Sequence, residues 1–405
     1  MSSTLLYRAF GFRQYRCLRT TAAADGVLTL HLRQDPEHDR CSHCQSPDVI
    51  RHGTEDRVVR TVPIGGKPVE LRLPVPRLGC RNCGRVRQAA IGFARPFRRF
   101  SHAFERYALG LLARMTIRDV ADHLQVGWDS IKALFKRHLK TRFGQPKLKR
   151  LKRLAIDEIS VGHGHRYLTV VLDLATGAVV FIGEGKGADA LIPFWKRLKA
   201  SHATIEAVAT DMSPAYTFAV REHLPKALHV FDHFHVVKLF NDRLSDFRRE
   251  LHREAEGPLG KTVLKGTRWP ILKNPENLDE TKGERTRLEE ALRINQPLAT
   301  AYYMKEEFRH FWDRESVADA ARFLDDWCRR AEASGLSVLK KMASTFQMHR
   351  TGLLNYHRCP ISTGPLEGVN NKIKTLQRQA YGYRDQEFFK LRIYSIHRAK
   401  YALLG

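Results

Sequence analysis

The chain has 405 residues, with 69 Lys and Arg against 43 Asp and Glu, for a formal net charge of +26. At roughly 100–200 residues per domain this length implies two to four domains, and 43% hydrophobic with 9% aromatic residues excludes wholesale disorder. No apolar run reaches the roughly 18 residues of a membrane helix; the best stretch, Tyr167 to Gly183, is broken by Asp173. The opening MSSTLLYRAFGFRQYRC has no uninterrupted apolar core of the kind a secretory leader needs, so the expectation is a soluble, intracellular protein.

The charge is concentrated. Residues 1–153 carry 31 Lys and Arg against 12 Asp and Glu, whereas residues 154–350 carry 29 against 28 and residues 351–405 carry 9 against 3. Concentration of this kind suits a nucleic acid, because each neutralised phosphate releases a counterion. An acidic membrane surface would attract the same charge, but neither an amphipathic anchor nor a lipidation motif accompanies it.

Seven cysteines are too few, and odd in number, for a secreted disulfide scaffold of this length. Four of them form two pairs, Cys41-x2-Cys44 and Cys80-x2-Cys83. A CxxC turn points two thiolates at one tetrahedral metal, and two such knuckles complete a structural zinc site with one Zn2+. The 35 residues between the pairs hold strand-like segments, Arg57 to Val62 and Lys67 to Val75, that form the hairpin of a zinc ribbon. A redox pair or four unrelated thiols is the alternative. His43, inside the first knuckle, is a weaker ligand than the cysteines. Cys17, Cys328 and Cys359 read as packing residues.

Helical periodicity follows from Ser101 to Phe143. Thr116 can cap a helix whose Val120, Ala121 and Leu124 face inward, Gly127 sits near a turn, and Ile131 anchors a second helix. This is helix-turn-helix form, with Trp128, Asp129, Lys132 and Lys136 presented outward to a DNA groove or to phosphates. The basic run Lys147 to Arg153 reads as a phosphate-tracking linker or a solvated hinge.

From Leu154 the texture changes. Strands at Leu154–Ser160, Tyr167–Asp173 and Ala178–Ile182 are followed by a helix from about Ala188 to Ala200. A strand at Glu206–Thr210 ending on Asp211, a helix through Pro214–His223 and a strand at Leu228–Phe231 complete the pattern. Three hairpin-linked strands followed by helix, strand, helix, strand is the order of an RNase H-like mixed sheet, with chemistry at the strand ends. Asp157 falls in the middle of the first strand and Asp211 just after the fourth. Buried acids are costly unless paired or bound to metal. Far downstream, Glu367, Asn370, Asn371, Lys374 and Arg378 make one polar helical stripe opposite Leu366, Val369, Ile373 and Leu376. A carboxylate on such a basic stripe suits a metal site facing a phosphate backbone. With Gly364 as N-cap, Glu367 would alternatively sit at the third helical position and merely cap.

These motifs, in the order ribbon, helix-turn-helix, Ala-Ile-Asp157-Glu158, Thr-Asp211-Met-Ser, Phe-Asp232-His-Phe-His235-Val-Val-Lys and Gly-Pro-Leu-Glu367-Gly-Val-Asn-Asn-Lys-Ile-Lys, span essentially the whole chain. Together they resemble the ISL-three family of bacterial insertion-sequence transposases. The resemblance implies a DDE triad of Asp157, Asp211 and Glu367, a supporting Asp232-x2-His235 pair, and an all-α insertion interrupting the RNase H-like domain. The expected architecture is multidomain α/β: zinc ribbon at 1–95, helix-turn-helix at 96–150, catalytic domain at 151–245 and 346–405, helical insertion at 246–345. The implied activity is DNA strand cleavage and strand transfer at the terminal inverted repeats and a target. It would use two Mg2+ about 4 Å apart, with Mn2+ able to substitute. Asp157 would bridge, with Asp211 and Glu367 holding one ion each. A homodimer acting in the bacterial cytoplasm, on the nucleoid, is implied as well, because two element ends are processed together. A catalytically inactive DNA-binding regulator is the alternative, and a structure-specific nuclease of the same fold a third reading.

Other residues are less decisive. Glu158 alternates to the opposite strand face from Asp157 and reads as structural. His235 is either a core histidine or an orienting hydrogen-bond partner. His163 and His165 sit in a glycine-bearing turn and read as incidental. In the insertion, Trp269 beside Arg268 could stack on an unpaired DNA base or simply pack, and Leu288, Leu292, Phe308, Phe311, Phe323 and Trp327 have core spacing.

Overall fold

The computed structural model describes residues 10–162, 164, 166–255 and 258–404. It divides the chain into two compact units, Met1–Arg142 and Phe143–Gly405.

In the first unit a long antiparallel hairpin pairs β3 (Val49–Ile64) with β4 (Lys67–Cys80). Its turn is Gly65-Gly66, both at positive φ, the left-handed pair that matches the twist of the flanking strands. The strands are longer than their sequence cores suggested, which accounts for the wide spacing of the cysteine pairs. The sequence reading missed β1 (Tyr15–Ala22) and β2 (Leu28–Gln34), which extend the sheet in the order β1-β2-β4-β3, with β5 (Val86–Gln88) also on β4. Alternating Val69, Leu71, Leu73 and Val75 of β4 bury one face against Leu30, Leu32, Phe12 and Phe93.

Three helices complete this unit: α1 (His102–Leu111), α2 (Ile117–His123) and α3 (Trp128–Phe143). Thr116 caps α2 as expected and does so reciprocally, since the Asp119 carboxylate accepts from the Thr116 N–H, forming a capping box. The turn into α3 is made by Gln125 at φ 52°. Val120, Ala121, Leu124 and Ile131 are buried.

The second unit is built on β6 (Arg153–Gly162), β7 (Arg166–Asp173), β8 (Ala178–Glu184), β9 (Ala207–Thr210) and β10 (Leu228–Phe231). The sheet order is β10-β9-β6-β7-β8, antiparallel from β6 to β8 and parallel from β6 through β9 to β10. This is the mixed sheet expected of an RNase H-like fold. On one face Leu154, Ile156, Val180 and Val208 pack against α4 (Ile192–Ser201) and α5 (Pro214–His223). Leu148 and Leu151 are buried in that same cluster, so the run Lys147 to Arg153 is an anchored segment rather than a free linker, and Lys152 and Arg153 pair with Glu206.

Between β10 and the second face of the sheet runs a helical layer. It comprises α6 (His233–Glu254), α7 (Pro258–Gly266), α8 (Glu284–Ile294), α9 (Gln296–Phe308), α10 (Val317–Ala333), α11 (Ser337–Met348) and α12 (Arg350–Asn355). Its core holds Phe240, Phe308, Phe311, Trp327 and Phe346, and Trp327 Nε1 donates to the Met304 carbonyl at 2.9 Å. Asp246 lies inside α6. The chain then returns to the sheet as α13 (Gly364–Gln379) and α14 (Gln386–Tyr394). Leu366, Val369, Ile373 and Leu376 of α13 are buried with Ala155, Ile159, Val170 and Ala209 on the face opposite α4 and α5.

Candidate active site and metal centre

In the first unit, Val49 pairs with Cys80, so the hairpin brings its start and its end together where the cysteines sit. Each knuckle is closed by a left-handed residue, Gln45 at φ 60° after Cys44 and Gly84 at φ 68° after Cys83. The Gln45 and Gly84 N–H groups donate back to the carbonyls of Cys41 and Cys80, each at 2.9 Å. The four sulfurs all lie within 4.8 Å of one another, with Cys41–Cys83 at 3.7 Å and Cys44–Cys80 at 3.5 Å. Tetrahedral Zn–S bonds of 2.3 Å require sulfurs about 3.8 Å apart, so the donor set fits zinc. Backbone N–H groups of Cys44 and His43 bring the Cys41 thiol down to about 6, toward the thiolate that a metal needs. His43 contributes that backbone bond, 3.4 Å to the Cys41 sulfur, and its ring is not part of the cluster.

On α3, Trp128 is 40% exposed and the Lys132 ammonium lies 5.2 Å over its ring. Lys136 follows one turn later and is half-buried. The outward face expected of the second helix is therefore present at its N-terminal end.

The second unit gathers the acids. Asp157 shares the β6 face of Ala155 and Ile159, the side on which α13 packs. Ala155 is the last β6 residue to pair with β9, so Asp157 emerges beside the C-terminal end of β9, where Asp211 follows. Both are half-buried. Burial pushes both carboxyls above the usual range, and each is raised further by a neighbouring acid, Asp157 by Asp211 and Asp211 by Glu158. His235 opposes the rise at both. Its own pKa is raised, first by its hydrogen bond to Asp232 and then by the charges of Asp157, Asp232 and Asp211. His235 is half-buried and is held by Asp232 through Nδ1.

Asp232 is fully buried and ties the site together. One oxygen pairs with His235 Nδ1 at 3.1 Å, and the other accepts the Thr363 N–H at 3.0 Å, the residue that caps α13. Burial alone would raise Asp232, but these bonds outweigh it and hold the carboxyl below its ordinary value. Nearly two turns into α13, Asn370 Nδ2 donates to Asp157 Oδ2 at 2.9 Å, across 213 positions of sequence. Sequence reasoning put Asn370 on the polar stripe but had no signal for this bond. Its other end, Oδ1, is buried with no hydrogen-bond partner among the described residues. An orphaned carbonyl oxygen on a side chain bonded to the half-buried Asp157 carboxylate fits a hard divalent cation or its bound water.

Glu367 departs from one expectation. Thr363, not Gly364, is the N-cap, which shifts Glu367 to the fourth helical position, and no side-chain capping bond forms. The capping alternative is thereby removed. Glu367 is exposed, and among the described residues its carboxylate has no hydrogen-bond or ion-pair partner. It does not close with Asp157 and Asp211 into one cluster of ligand atoms within 4.8 Å. Glu158 faces the other way, accepting from Tyr216 Oη at 2.7 Å and the Gly187 N–H at 2.9 Å, as strand alternation predicts. Lys374 and Arg378 continue outward along α13, both exposed and without an acidic partner among the described residues. Trp269 is 61% exposed with the Arg268 guanidinium 4.8 Å over its ring, so it is not a packing residue. His163 and His165 lie outside the described residues. No helix among the described residues is long and apolar enough to cross a membrane.

Comparison with known families gives three consecutive matches. Residues 37–83 match the zinc-finger of transposase IS204/IS1001/IS1096/IS1165, residues 89–139 the helix-turn-helix domain of transposase family ISL3, and residues 154–393 the ISL3 DDE transposase. The transposase for insertion sequence element IS1001 of Bordetella parapertussis is 33% identical over 370 residues, 91% of each chain. The transposase for IS1557 of Mycobacterium tuberculosis is 28% identical over 373 residues, 86% of this chain and 83% of that one. Among solved structures, the Drosophila P element transposase strand transfer complex overlays 73% of this chain and 92% of that one at 10% identity, with a TM-score of 0.38, too loose a likeness to reason from.

Proposed function

The chain belongs to the ISL3 family of insertion-sequence transposases, and from that premise we propose that Asp157, Asp211 and Glu367 are its catalytic triad. It is a DNA transposase, an enzyme that cuts and joins DNA. DDE chemistry uses divalent metal. Two Mg2+, replaceable by Mn2+, would be held by the carboxylates of Asp157, Asp211 and Glu367. When bound, they supply charge stabilisation for in-line displacement at phosphorus.

The observation that carries this reading is the Asn370–Asp157 bond, which fastens the helix bearing Glu367 beside the strand bearing Asp157. The chain's own residues do the rest. Asp232 holds the start of that helix, and His235 balances the charge of the two half-buried aspartates. Lys374 and Arg378 receive the phosphates of the strand leaving the site, and Trp269 stacks on an unpaired base near the cleavage point.

Residues 1–150 recognise the element ends. One structural Zn2+ on Cys41, Cys44, Cys80 and Cys83 fixes the ribbon, and Trp128, Lys132 and Lys136 engage the DNA groove and phosphates. The working assembly on terminal repeats and target DNA is a homodimer, acting on the nucleoid in the bacterial cytoplasm.

Incubating the full-length chain with DNA carrying its own element's terminal segments and Mg2+ tests this. Joined products support the reading. DNA binding without products supports the inactive regulator, and cleavage regardless of end sequence supports a structure-specific nuclease. Ca2+ should permit binding without cleavage.

A further inference from the structure

Between β5 and α1 the first unit carries a short loop, Arg95-Pro96-Phe97-Arg98-Arg99, that the recognition helix does not account for. Its base is rigid. Ala94 bridges to Ser101, the Arg60 N–H donates to the Arg99 carbonyl at 2.7 Å, the Ser101 N–H donates to the Arg60 carbonyl at 2.9 Å, and Arg57 donates to the Arg98 carbonyl at 2.9 Å. Phe93 and Ala94 on one side are buried, and Phe100 on the other stacks on Phe104 at 4.4 Å.

The tip is the opposite. Phe97 is 88% exposed, although burying it would be the ordinary fate of a phenylalanine. Its φ is +57°, a left-handed conformation that a bulky side chain rarely adopts. Arg95, Arg98 and Arg99 surround it, all exposed, and none has an acidic partner among the described residues. Arg98 also lines a cleft of about 390 Å³ with Ala133, Lys136, Arg137, Lys140 and Thr141 of α3. A rigid loop that holds an aromatic ring in water among uncompensated guanidiniums is built for a polyanion with an apolar interior.

We propose that this loop is a second DNA-reading element, flanking the site of the recognition helix. The arginines track the walls of the minor groove, where guanidiniums are favoured by its negative potential. Phe97 wedges against a base step, as apolar side chains do in proteins that bend DNA. The cleft of Arg98, Lys136 and Lys140 seats the phosphate at that step. Three arginines without acidic partners match a phosphate backbone and oppose an apolar protein surface, so DNA rather than a second copy of the chain is the occupant. The inference rests on the reading that α3 engages the element end.

The test uses the full-length chain and duplexes carrying its own terminal segments, with three measurements: affinity, bend by energy transfer between labelled duplex ends, and methylation interference. F97A should bind about tenfold more weakly, lose the bend, and lose interference at adenine N3 in the minor groove while keeping guanine N7 interference in the major groove. F97G should do the same while melting no lower than the unsubstituted chain, because glycine accepts the positive φ without strain; this variant separates lost contact from lost fold. Replacing Arg98 and Arg99 by Ala should reduce the slope of log affinity against log salt by about two. The proposal is overturned if F97G binds and bends DNA normally, or if F97A alters self-association without DNA, which would make the loop a protein contact. Absence of guanine N7 interference in the unsubstituted chain would instead defeat the recognition-helix reading, while Phe97-dependent adenine N3 interference would still support this one.

Discussion

The thiol cluster of the first unit and the carboxylate cluster of the second are assembled in opposite ways. The four cysteines are brought together by one hairpin, and their sulfurs already lie within 4.8 Å of each other. The acids come from a strand, a strand end and a helix; Asp157 and Asp211 are half-buried and Glu367 is exposed. Structural zinc sites are closed and contribute folding energy, whereas a catalytic site must leave room for substrate oxygens and water.

The largest effect expected from this contrast is catalytic. D157N, D211N and E367Q should each lower strand cleavage by about a thousandfold or more, because each removes charge stabilisation from a phosphoryl transition state. End binding should survive, and the losses should be non-additive in double variants. Normal cleavage by E367Q, measured on labelled end-containing DNA, would mean that another acid completes the site.

The thiol cluster should fail differently. C80S, or exposure to a strong chelator, should release one Zn2+ per chain and abolish specific end binding, since the ribbon's metal energy is also its folding energy. Elemental analysis and gel shift measure this. The second unit should keep its melting transition in calorimetry, and removing Mg2+ should unfold neither unit.

A third change addresses how Glu367 is brought to Asp157. N370A should reduce cleavage by about 10- to 100-fold and raise the Mg2+ concentration needed for half-maximal thermal stabilisation. A purely structural asparagine would lower the melting temperature and leave that metal requirement unchanged.

The smallest effect is on stability. Burial raises Asp157 and Asp211, so the stability they contribute is full below the unfolded carboxylate pKa and is lost as pH rises through their higher folded values. Metal-free D157N should therefore melt slightly higher than the unsubstituted chain at neutral pH, with the gap closing on acidification. A gap that widened on acidification would reverse the assigned direction.

What was legible in the sequence differed between the two centres for the same reason. Paired cysteines announce themselves by local spacing, and Asp157 and Asp211 by their places in apolar strands. The Asn370–Asp157 and Asp232–Thr363 bonds leave no trace in any window, because their partners are 213 and 131 positions apart. The N-cap of α13 was misplaced by one residue because Thr363 and Gly364 are both acceptable caps and only backbone geometry decides between them. β1 was missed because almost all of it is exposed and it carries no apolar alternation, whereas β2 does alternate Leu28, Leu30 and Leu32 with polar residues and was open to a closer reading. The exposure of Trp269 could not be read from a segment that forms only short helical turns around it.

The buried Asp232 carboxylate has a consequence for how this enzyme can change over time. It sits where the chain leaves the sheet for the helical layer, and it holds the backbone where the chain comes back. The whole excursion is thus tied off at its neck. Closing a longer loop costs only about 0.6 kcal/mol per doubling of its length, and a tied neck keeps that cost from reaching the strand and helix that carry the acids. Helices can be gained, lost or exchanged beyond the knot while the cutting centre stays in register, which makes the helical layer the part of the molecule freest to diverge.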